Sequence, residues 1–181
     1  DRRRHDQGQH QVQALHQRRP HILTARGLTR QRREHRRRHR HPDQAERLRA
    51  DPSLWDPAVE EMLRWGSSIH NFRRTATRDT ELRGVPIAEG DKVVIYYAAA
   101  NRDEDVFDAP HTFDVARTPN DHVTFGGGGV HYCLGASLAR AEIRATMREV
   151  VERLPGIELA GPPERLASDF VNGIKRMPVT W

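Results

Sequence analysis

The sequence predicts an α+β fold that is mainly α-helical and includes small antiparallel sheets. Between residues 136 and 154, apolar side chains recur at steps of three and four, which is typical of an amphipathic helix. Short runs of β-branched and aromatic residues, such as 92–97, are bounded by turn residues and are typical of strands. Two prolines stand at the starts of helical patterns, where proline is favoured. Because the predicted strands are short, we expect the sheets to be small and to lie beside the helices.

Three helices are predicted in the globular part of the chain. The first spans 42–50, with proline at its first position. The second spans 58–65, with Asp56 as its N-cap and Pro57 at its first position. The third and longest spans 137–154 and directly follows the only cysteine of the chain.

The segments around these helices predict strands and turns. Strands are expected at 72–78, 81–87 and 92–97. A short polar helix is expected within 98–107, and 108–124 predicts an exposed loop rich in Asp, Pro and Asn. Residues 166–181 predict a hairpin that turns at Asn172 and Gly173, since Asn-Gly favours a two-residue turn.

Residues 1–41 differ from the rest of the chain in composition and charge. They contain 13 Arg, 7 His and 6 Gln against three acidic residues, a net charge of +10. The other 140 residues hold 17 basic and 22 acidic residues, a net charge of −5, so the basic isoelectric point describes the first segment alone. Such a segment cannot bury enough apolar surface to offset the entropy of ordering. We therefore predict a disordered or out-of-frame segment at 1–41 and a globular part at 42–181.

Three interpretations of the basic segment compete. Arginine clusters neutralise phosphates, so the segment is a candidate nucleic-acid-binding tail. It is also a candidate solvated linker. We favour the third interpretation, that it is not genuine coding sequence, because Arg, His, Gln and Pro all have codons that begin with C, as a GC-rich gene read out of frame would give. Charge runs alone are weak evidence for a nucleic-acid partner, so none is expected.

The composition also bears on the cellular compartment. One cysteine rules out an internal disulfide and suits a reducing cytoplasm. No run of about 18 apolar residues occurs, so no membrane segment is predicted. The start of the chain lacks the apolar core of a signal peptide. These features predict a cytoplasmic location.

The most informative stretch is 125–136, which reads Phe-Gly-Gly-Gly-Gly-Val-His-Tyr-Cys-Leu-Gly-Ala. Glycine lets the backbone approach a flat object closely. The helix predicted after Cys133 would point its free N–H groups and positive dipole end toward the sulfur, which favours the thiolate form. Since a thiolate is a soft ligand, Cys133 is a candidate metal ligand. The alternative for a lone cysteine is a small buried apolar residue.

This stretch resembles the haem-ligand loop of the cytochrome P450 family, the haem-thiolate monooxygenases. In that loop an aromatic residue, glycines and a basic residue two positions before the cysteine lead into Cys-x-Gly. Those offsets are matched here by Gly129, His131, Cys133 and Gly135. Phe125 lies one residue further from the cysteine than in the commonest form of the motif. With this inserted residue in its glycine run, the loop resembles that of the actinobacterial members that oxidise sterols and branched lipids.

The resemblance implies the C-terminal part of the cytochrome P450 fold and a haem b cofactor whose iron is bound by the Cys133 thiolate. Arg74 and His131 are implied to bind haem propionates, since a guanidinium suits a carboxylate. A solvated strand arginine is the alternative for Arg74. His122 is a further candidate, either for a propionate or as a cap of the loop. The implied cofactor-binding set is Arg74, Phe125, His131, Cys133 and Gly135.

A charged set upstream of the glycine run also matches the family. Glu61 and Arg64 lie three residues apart on one predicted helix face and can pair. By itself this spacing is common, and a surface pair would contribute less than about 1 kcal/mol. The resemblance implies instead that Arg117, eight residues before Phe125, closes a buried triad with them. We expect these residues to stabilise the fold and the haem site rather than to react.

The implied reaction is hydroxylation of C–H bonds in a hydrophobic, lipid-like or sterol-like substrate. It uses O2 and electrons from a ferredoxin-type or other redox partner, and a thiolate ligand favours O–O cleavage by pushing electron density onto the iron. The last predicted helix carries a candidate basic docking face formed by Arg140, Arg144 and Arg148. The sequence alone favours the other interpretation of those arginines, a solvated helix face. Neither a membrane nor a nucleic acid is expected as a partner.

The sequence departs from the family upstream of residue 42. The acid–threonine motif of the family's central helix, which relays protons to bound oxygen, does not occur in residues 1–41. The resemblance covers 42–181, less than half of a full member, so this chain alone is expected to bind haem poorly and to be inactive. The alternative function is a non-catalytic protein with a basic nucleic-acid-binding N-terminal tail.

Overall fold

The helices lie close to where the sequence places them. The computed structural model describes residues 41–181. Within that range the helices are α1 (Pro42–Ala50), α2 (Trp55–Gly66), α3 (Tyr97–Ala100) and α4 (Ala136–Arg153), and a 3₁₀ turn spans Pro52–Leu54. α1 matches the predicted span, and α4 begins one residue before its predicted start. Apart from His41, the predictions for the basic segment concern residues that lie outside the described range.

The start of α2 differs from the prediction. The side chain of Asp51 accepts a hydrogen bond from the Ser53 N–H at 2.9 Å and so caps the 3₁₀ turn, which leads directly into α2. Leu54 therefore occupies the N-cap position of α2, without a side-chain cap. The predicted N-cap role of Asp56 is wrong, because Asp56 already lies inside the first turn. There its negative charge still interacts favourably with the helix dipole.

The strands are short and pair two by two. In the described residues they are β1 (Asn71–Thr75), β2 (Thr80–Leu82), β3 (Val85–Ile87), β4 (Lys92–Tyr96), β5 (Glu158–Leu159), β6 (Glu164–Arg165), β7 (Ile174–Arg176) and β8 (Val179–Thr180). β1 pairs with β4, β2 with β3, β5 with β8 and β6 with β7, and every pair is antiparallel. The predicted α+β class, mainly helical with small antiparallel sheets, is confirmed.

The single strand predicted at 81–87 is two strands joined by a tight turn. Arg83 and Gly84 stand between β2 and β3 with φ angles of 54° and 79°. Two successive residues with positive φ are what a two-residue hairpin turn requires. The turn escaped prediction because Arg-Gly is a much weaker turn signal than Asn-Gly or Asp-Gly.

The C-terminal hairpin closes through a longer loop than the predicted turn at Asn172 and Gly173. β6 and β7 flank residues 166–173, and the Leu166 N–H donates to the Gly173 carbonyl at 3.0 Å. The side chain of Asn172 donates to the carbonyl of Gly66 at 2.9 Å, at the end of α2. This tertiary contact holds Asn172 in the loop, so the predicted two-residue turn is wrong.

The polar helix predicted within 98–107 is also wrong. α3 ends at Ala100, and the following residues form turns. Asn101 is fully buried, and its side chain binds groups of other segments instead of continuing the helix. Side-chain hydrogen bonds of this kind compete with helical backbone structure, so the helix ends at this point.

The core lies where α1, α2 and α4 pack together. Its buried apolar side chains are Leu48, Trp55, Ala58, Val115 and Val151. Fully burying an aliphatic side chain of this kind stabilises a fold by about 1.5–3 kcal/mol. Because α4 packs against α2, the loop that precedes α4 is held close to α2 as well.

No helix within residues 41–181 is both long enough and apolar enough to cross a membrane. The longest, α4, spans 18 residues, and charged side chains interrupt it throughout.

Candidate functional site

The cysteine loop, residues 125–135, holds Cys133 at the surface in front of α4. Cys133 is a free and exposed thiol. Its backbone N–H donates to the carbonyl of Phe125 at 3.0 Å, and the Tyr132 N–H donates to the carbonyl of Gly129 at 3.1 Å. These bonds close the loop on itself, so the backbone of the loop sets the position of the sulfur.

The glycine run is required by backbone conformation. Gly126, Gly128 and Gly129 have φ angles of 92°, 97° and 78°, which residues with a Cβ rarely adopt. Gly135 has an ordinary φ of −80°, but a Cβ there would lie 3.9 Å from the sulfur of Cys133. Glycine at this position therefore leaves that side of the sulfur uncovered.

α4 begins directly behind the cysteine. Gly135 is the N-cap residue of α4, and the Ala136 N–H donates to the carbonyl of Cys133 at 3.2 Å. The Ala139 N–H donates to the carbonyl of Gly135 at 2.9 Å and opens the helical hydrogen-bond pattern. The positive end of the helix dipole thus lies next to the cysteine. Stabilisation of the thiolate by this dipole stays a prediction.

The two residues predicted to bind propionates are both exposed. Arg74 lies in β1 opposite Val93, and its guanidinium stands 5.8 Å from the ring centroid of Phe72. Its Nη1 donates to the carbonyl of Arg73 at 3.0 Å. His131 lies in the exposed part of the cysteine loop. Both basic groups face solvent, and their role toward a propionate stays a prediction.

Aromatic side chains surround the position of Arg74. Phe72 stacks edge-on against Tyr97 and Phe170, with ring centroids 6.0 Å and 5.3 Å apart. Burial raises the pKa of the Tyr97 hydroxyl, and the positive charge of Arg74 opposes that rise. These contacts join β1, α3 and the C-terminal loop, so the arginine projects from a surface that tertiary packing holds together.

The predicted triad of Glu61, Arg64 and Arg117 is present and buried. The Arg64 guanidinium donates to both carboxylate oxygens of Glu61 at 2.7 Å, and both side chains are 0% exposed. The Arg117 Nε donates to Glu61 Oε2 at 3.1 Å. The predicted pairing and its burial are confirmed by this geometry.

The triad ties α2 to the long loop that leads to the cysteine. Arg64 Nη1 donates to the carbonyls of Asn101 and Pro110 at 2.8 and 2.9 Å. Arg117 Nη1 donates to the carbonyl of Asp108 at 2.7 Å. Buried charges are stable only when paired and hydrogen-bonded, and this network supplies both conditions. The triad therefore fixes residues 108–117 against α2.

A second charged set, which the sequence did not predict, lies beside the triad. Glu60 accepts hydrogen bonds from Arg140 Nε at 2.7 Å and Nη2 at 2.8 Å, and its Oε2 stands 3.1 Å from Nε2 of His122. Nδ1 of His122 accepts the Thr124 N–H at 3.3 Å. Both ring nitrogens of His122 are thus engaged inside the protein. The propionate role considered for His122 is not supported, and the loop-capping interpretation fits.

Asn101 is a further organising residue that sequence reasoning missed. Its amide nitrogen donates to the hydroxyl oxygens of Ser67 and Thr124, both at 3.0 Å. Its amide oxygen accepts the Val123 N–H at 2.8 Å. A buried asparagine in a short polar stretch gives no periodic signal, and only its neighbours in space show that it joins α2 to the segment before the cysteine loop.

The basic face considered for α4 is paired with acidic residues. Arg140 binds Glu60. Arg144 pairs with Asp56 in α2, and Arg148 pairs with Glu152 one turn along α4. Three arginines on one helix therefore do not form a free positive surface. The candidate docking face is a row of ion pairs, two of which join α4 to α2.

Comparisons with known proteins agree with this geometry. The family model described as cytochrome P450 matches residues 28–167. The methyl-branched lipid omega-hydroxylase of Mycobacterium tuberculosis is 51% identical over 143 residues, which cover 78% of this chain and 33% of the relative. The steroid C26-monooxygenase of Mycolicibacterium smegmatis is 44% identical over 140 residues, which cover 77% of this chain and 32% of the relative.

Solved structures show the same similarity. The Mycobacterium marinum cytochrome P450 CYP268A2 in complex with pseudoionone superposes with a TM-score of 0.73 at 48% identity, covering 77% of this chain and 34% of that chain. The structure of P450BioI in complex with an acyl carrier protein ligated to hexadec-9Z-enoic acid superposes with a TM-score of 0.73 at 38% identity. The chain spans about a third of the length of the curated relatives it matches.

Proposed function

Because this chain belongs to the cytochrome P450 family, we propose that it forms the haem-binding part of a haem-thiolate monooxygenase, with Cys133 as the ligand of the haem iron. The observation that carries the proposal is the setting of Cys133. It is an exposed free thiol in a closed glycine loop, directly in front of the N-terminus of α4. Several matched relatives are named steroid C26-monooxygenase, which supports an enzyme of the oxidoreductase class.

The residues present fit the cofactor of the family, haem b with a cysteine ligand. A sulfur ligand suits iron, and glycines with no side chain leave room for a flat ring beside it. A Cβ added at Gly127 or Gly129 would meet no described atom within 4 Å, so this face of the loop is open. When bound, the haem supplies the activation of oxygen needed to hydroxylate an unactivated C–H bond.

The chain's own residues would bind and orient this cofactor. Cys133 would supply the thiolate ligand of the iron, and Gly135, which has no Cβ, leaves one side of the sulfur uncovered. Arg74 and His131 are exposed cations or donors that suit carboxylates, so we assign them to the propionates. Phe125 anchors the loop, because its carbonyl accepts the Cys133 N–H.

We propose a hydrophobic substrate of the lipid or steroid class. The reaction consumes O2, two electrons and two protons, and converts a C–H bond into C–OH with release of water. The support is that two groups of matched relatives are named for a methyl-branched lipid and for steroids. The electrons would come from a ferredoxin-type or other redox protein. A cytoplasmic location is proposed from the single free cysteine.

We also propose that the 181-residue chain on its own binds haem weakly and does not turn over. It spans about a third of its relatives' length. The apolar side chains of Val130 and Leu134 in the cysteine loop and of Leu138 in α4 are 97%, 102% and 62% exposed. A monooxygenase needs a dry site that excludes water from the reacting centre.

The test uses a chimera in which residues 42–181 replace the matching part of the methyl-branched lipid omega-hydroxylase. We expect the reduced carbon monoxide complex of the chimera to show the Soret band of thiolate-ligated haem, and Cys133→Ser to abolish it. The 181-residue chain titrated with haemin should show only a small fraction of that band. Retention of the thiolate band in Cys133→Ser would overturn the assignment.

A further inference from the structure

The cysteine loop is held from both flanks by one carboxylate. Glu60 lies in α2, 62 residues before His122 and 80 residues before Arg140. His122 stands three residues before the loop begins, and Arg140 stands five residues after it ends. One side chain therefore receives hydrogen bonds from the segments that enter and leave the loop.

Arg140 connects Glu60 to the loop itself. Its guanidinium donates to both carboxylate oxygens of Glu60, and it stacks 4.7 Å from the ring centroid of Phe125. Its Nη1 also lies 3.5 Å from the hydroxyl of Tyr132, the neighbour of Cys133. A bidentate pair fixes the plane of a guanidinium, so Glu60 orients the Arg140 guanidinium against the loop.

His122 connects Glu60 to the strand of chain that enters the loop. Its side chain is 3% exposed. Because Nδ1 accepts the Thr124 N–H, the proton of a neutral imidazole stays on Nε2 and is donated to Glu60. The His122 ring also packs edge-on against Phe125, with centroids 6.2 Å apart. Phe125 is thus held between two side chains that share one carboxylate.

We propose that Glu60 is a positioning residue for Cys133, which acts through Arg140 and His122 to fix the cysteine loop. The meaning of this position for a haem ligand rests on the proposed function, whereas its effect on the loop does not. Phe125 is the link, since its ring contacts both partners of Glu60 and its carbonyl accepts the Cys133 N–H.

The neighbouring glutamates of α2 have separate tasks. Glu61 is fully buried and binds Arg64, Arg117 and Asn120, which holds the segment up to residue 120. Glu60 has different partners and holds the segments on either side of Cys133. A change at Glu60 should therefore loosen the cysteine loop without releasing the rest of the core.

Hydrogen exchange of the 181-residue chain, followed by mass spectrometry, tests the effect on the loop. Glu60→Gln removes the charge and one of the acceptors. We expect exchange within 122–135 to become about tenfold faster, because hydrogen bonds to charged groups are worth more than neutral ones. Exchange in β1 and β4 should not change. The matched control is Glu152→Gln, since Glu152 also pairs with an arginine of α4, Arg148, but at an exposed position.

The proposal is overturned if Glu60→Gln and Glu152→Gln exchange alike within 122–135, or if Glu60→Gln accelerates exchange equally in β1 and β4. The spectroscopic counterpart uses the chimera. Glu60→Gln should lower the fraction of reduced carbon monoxide complex with the thiolate band, and Glu152→Gln should not. If the chimera shows no thiolate band at all, the proposed function fails, while the exchange result still decides the role of Glu60 in the loop.

Discussion

At the scale of the residue, the environments of two adjacent carboxylates explain most of the site. Glu61 has no exposed surface and is surrounded by Arg64, Arg117 and Asn120, whose side chains all donate to it. Glu60 is partly exposed and pairs with Arg140 and His122. A fully buried carboxylate must have its charge balanced and its oxygens hydrogen-bonded. The fold therefore requires the partners of Glu61.

Replacing Glu61 by Gln should strongly destabilise the protein. The variant keeps the side-chain volume but leaves the buried Arg64 and the neighbouring Arg117 without a counter-charge. Breaking a buried pair in this way costs about 3–5 kcal/mol. Urea unfolding followed by circular dichroism measures the loss, with Glu152→Gln as the exposed control. Equal midpoints for the two variants would contradict the assigned role of the triad.

The pH dependence of stability should report Glu60. Partial burial raises the pKa of this carboxyl, but the hydrogen bonds from Arg140 and His122 and the charge of Arg140 outweigh it and lower the pKa from 4.5 to about 2. Because the folded pKa is depressed, the contribution of Glu60 is present above pH 4.5 and is lost as the pH falls toward 2.

We therefore expect urea midpoints to decline more steeply from pH 5 to pH 2 in the unmodified chain than in Glu60→Gln, where no carboxyl titrates at this position. The control is Glu152→Gln, which keeps Glu60 and should follow the unmodified chain. Parallel curves for the unmodified chain and Glu60→Gln would show that the ion pair does not contribute.

Arg74 should matter for haem affinity, and its neighbour should not. Arg73 and Arg74 are adjacent in β1, so their side chains point to opposite faces of the strand. Loss of a charge-assisted hydrogen bond to a propionate should weaken haem binding about tenfold or more in Arg74→Ala. Haem titration of the chimera measures this, with Arg73→Ala as the matched control. Equal dissociation constants in the two variants would argue against a propionate role.

At the scale of the element, α4 depends on its packing against α1 and α2. Val151 of α4 belongs to the same buried cluster as Leu48 of α1 and Trp55 and Ala58 of α2. The Glu60 pair and the Asp56 pair add contacts between α2 and α4 nearer the cysteine. The long helix therefore carries its N-terminus, and the loop before it, at a fixed place on α2.

Truncation of the α1 contact should destabilise the whole arrangement. Leu48 is 3% exposed, and Leu48→Ala should cost about 2–5 kcal/mol through lost burial and the cavity left behind. The control is Leu138→Ala in α4, where the side chain is 62% exposed in the described chain. Urea midpoints of the two variants give the comparison. Similar losses at both positions would show that the core does not lie between these helices.

At the scale of the whole molecule, the chain combines a packed helical core with short exposed hairpins. β1 and β4 carry Phe72, Val94, Ile95 and Tyr96 at 40–59% exposure, and the C-terminal segment ends on Trp181 at 80%. The chain spans about a third of its relatives' length. Its family, its fold class and its cofactor class follow from the match, whereas its substrate and redox partner are proposals.

Features that depend on residues close together along the chain could be predicted from the sequence. The spacing of apolar residues predicted α4, because a helix buries one face at a fixed period, and a proline at its first position predicted α1. The order of residues around Cys133 identified the family, and Glu61, Arg64 and Arg117 were predicted as a triad from that resemblance. Turn residues gave the strands approximately, but not the Arg83-Gly84 turn.

Contacts between residues that are far apart along the chain became visible only in the three-dimensional structure. Glu60 is hydrogen-bonded to His122 and Arg140, which lie 62 and 80 residues further along the chain. Asn101 joins α2 to the segment before the cysteine. The arginines of α4, which the sequence offered as a candidate docking face, form ion pairs in the structure. Periodicity and motifs do not predict such pairs. The partner of a charged side chain depends on how helices and loops pack and not on its neighbours along the chain.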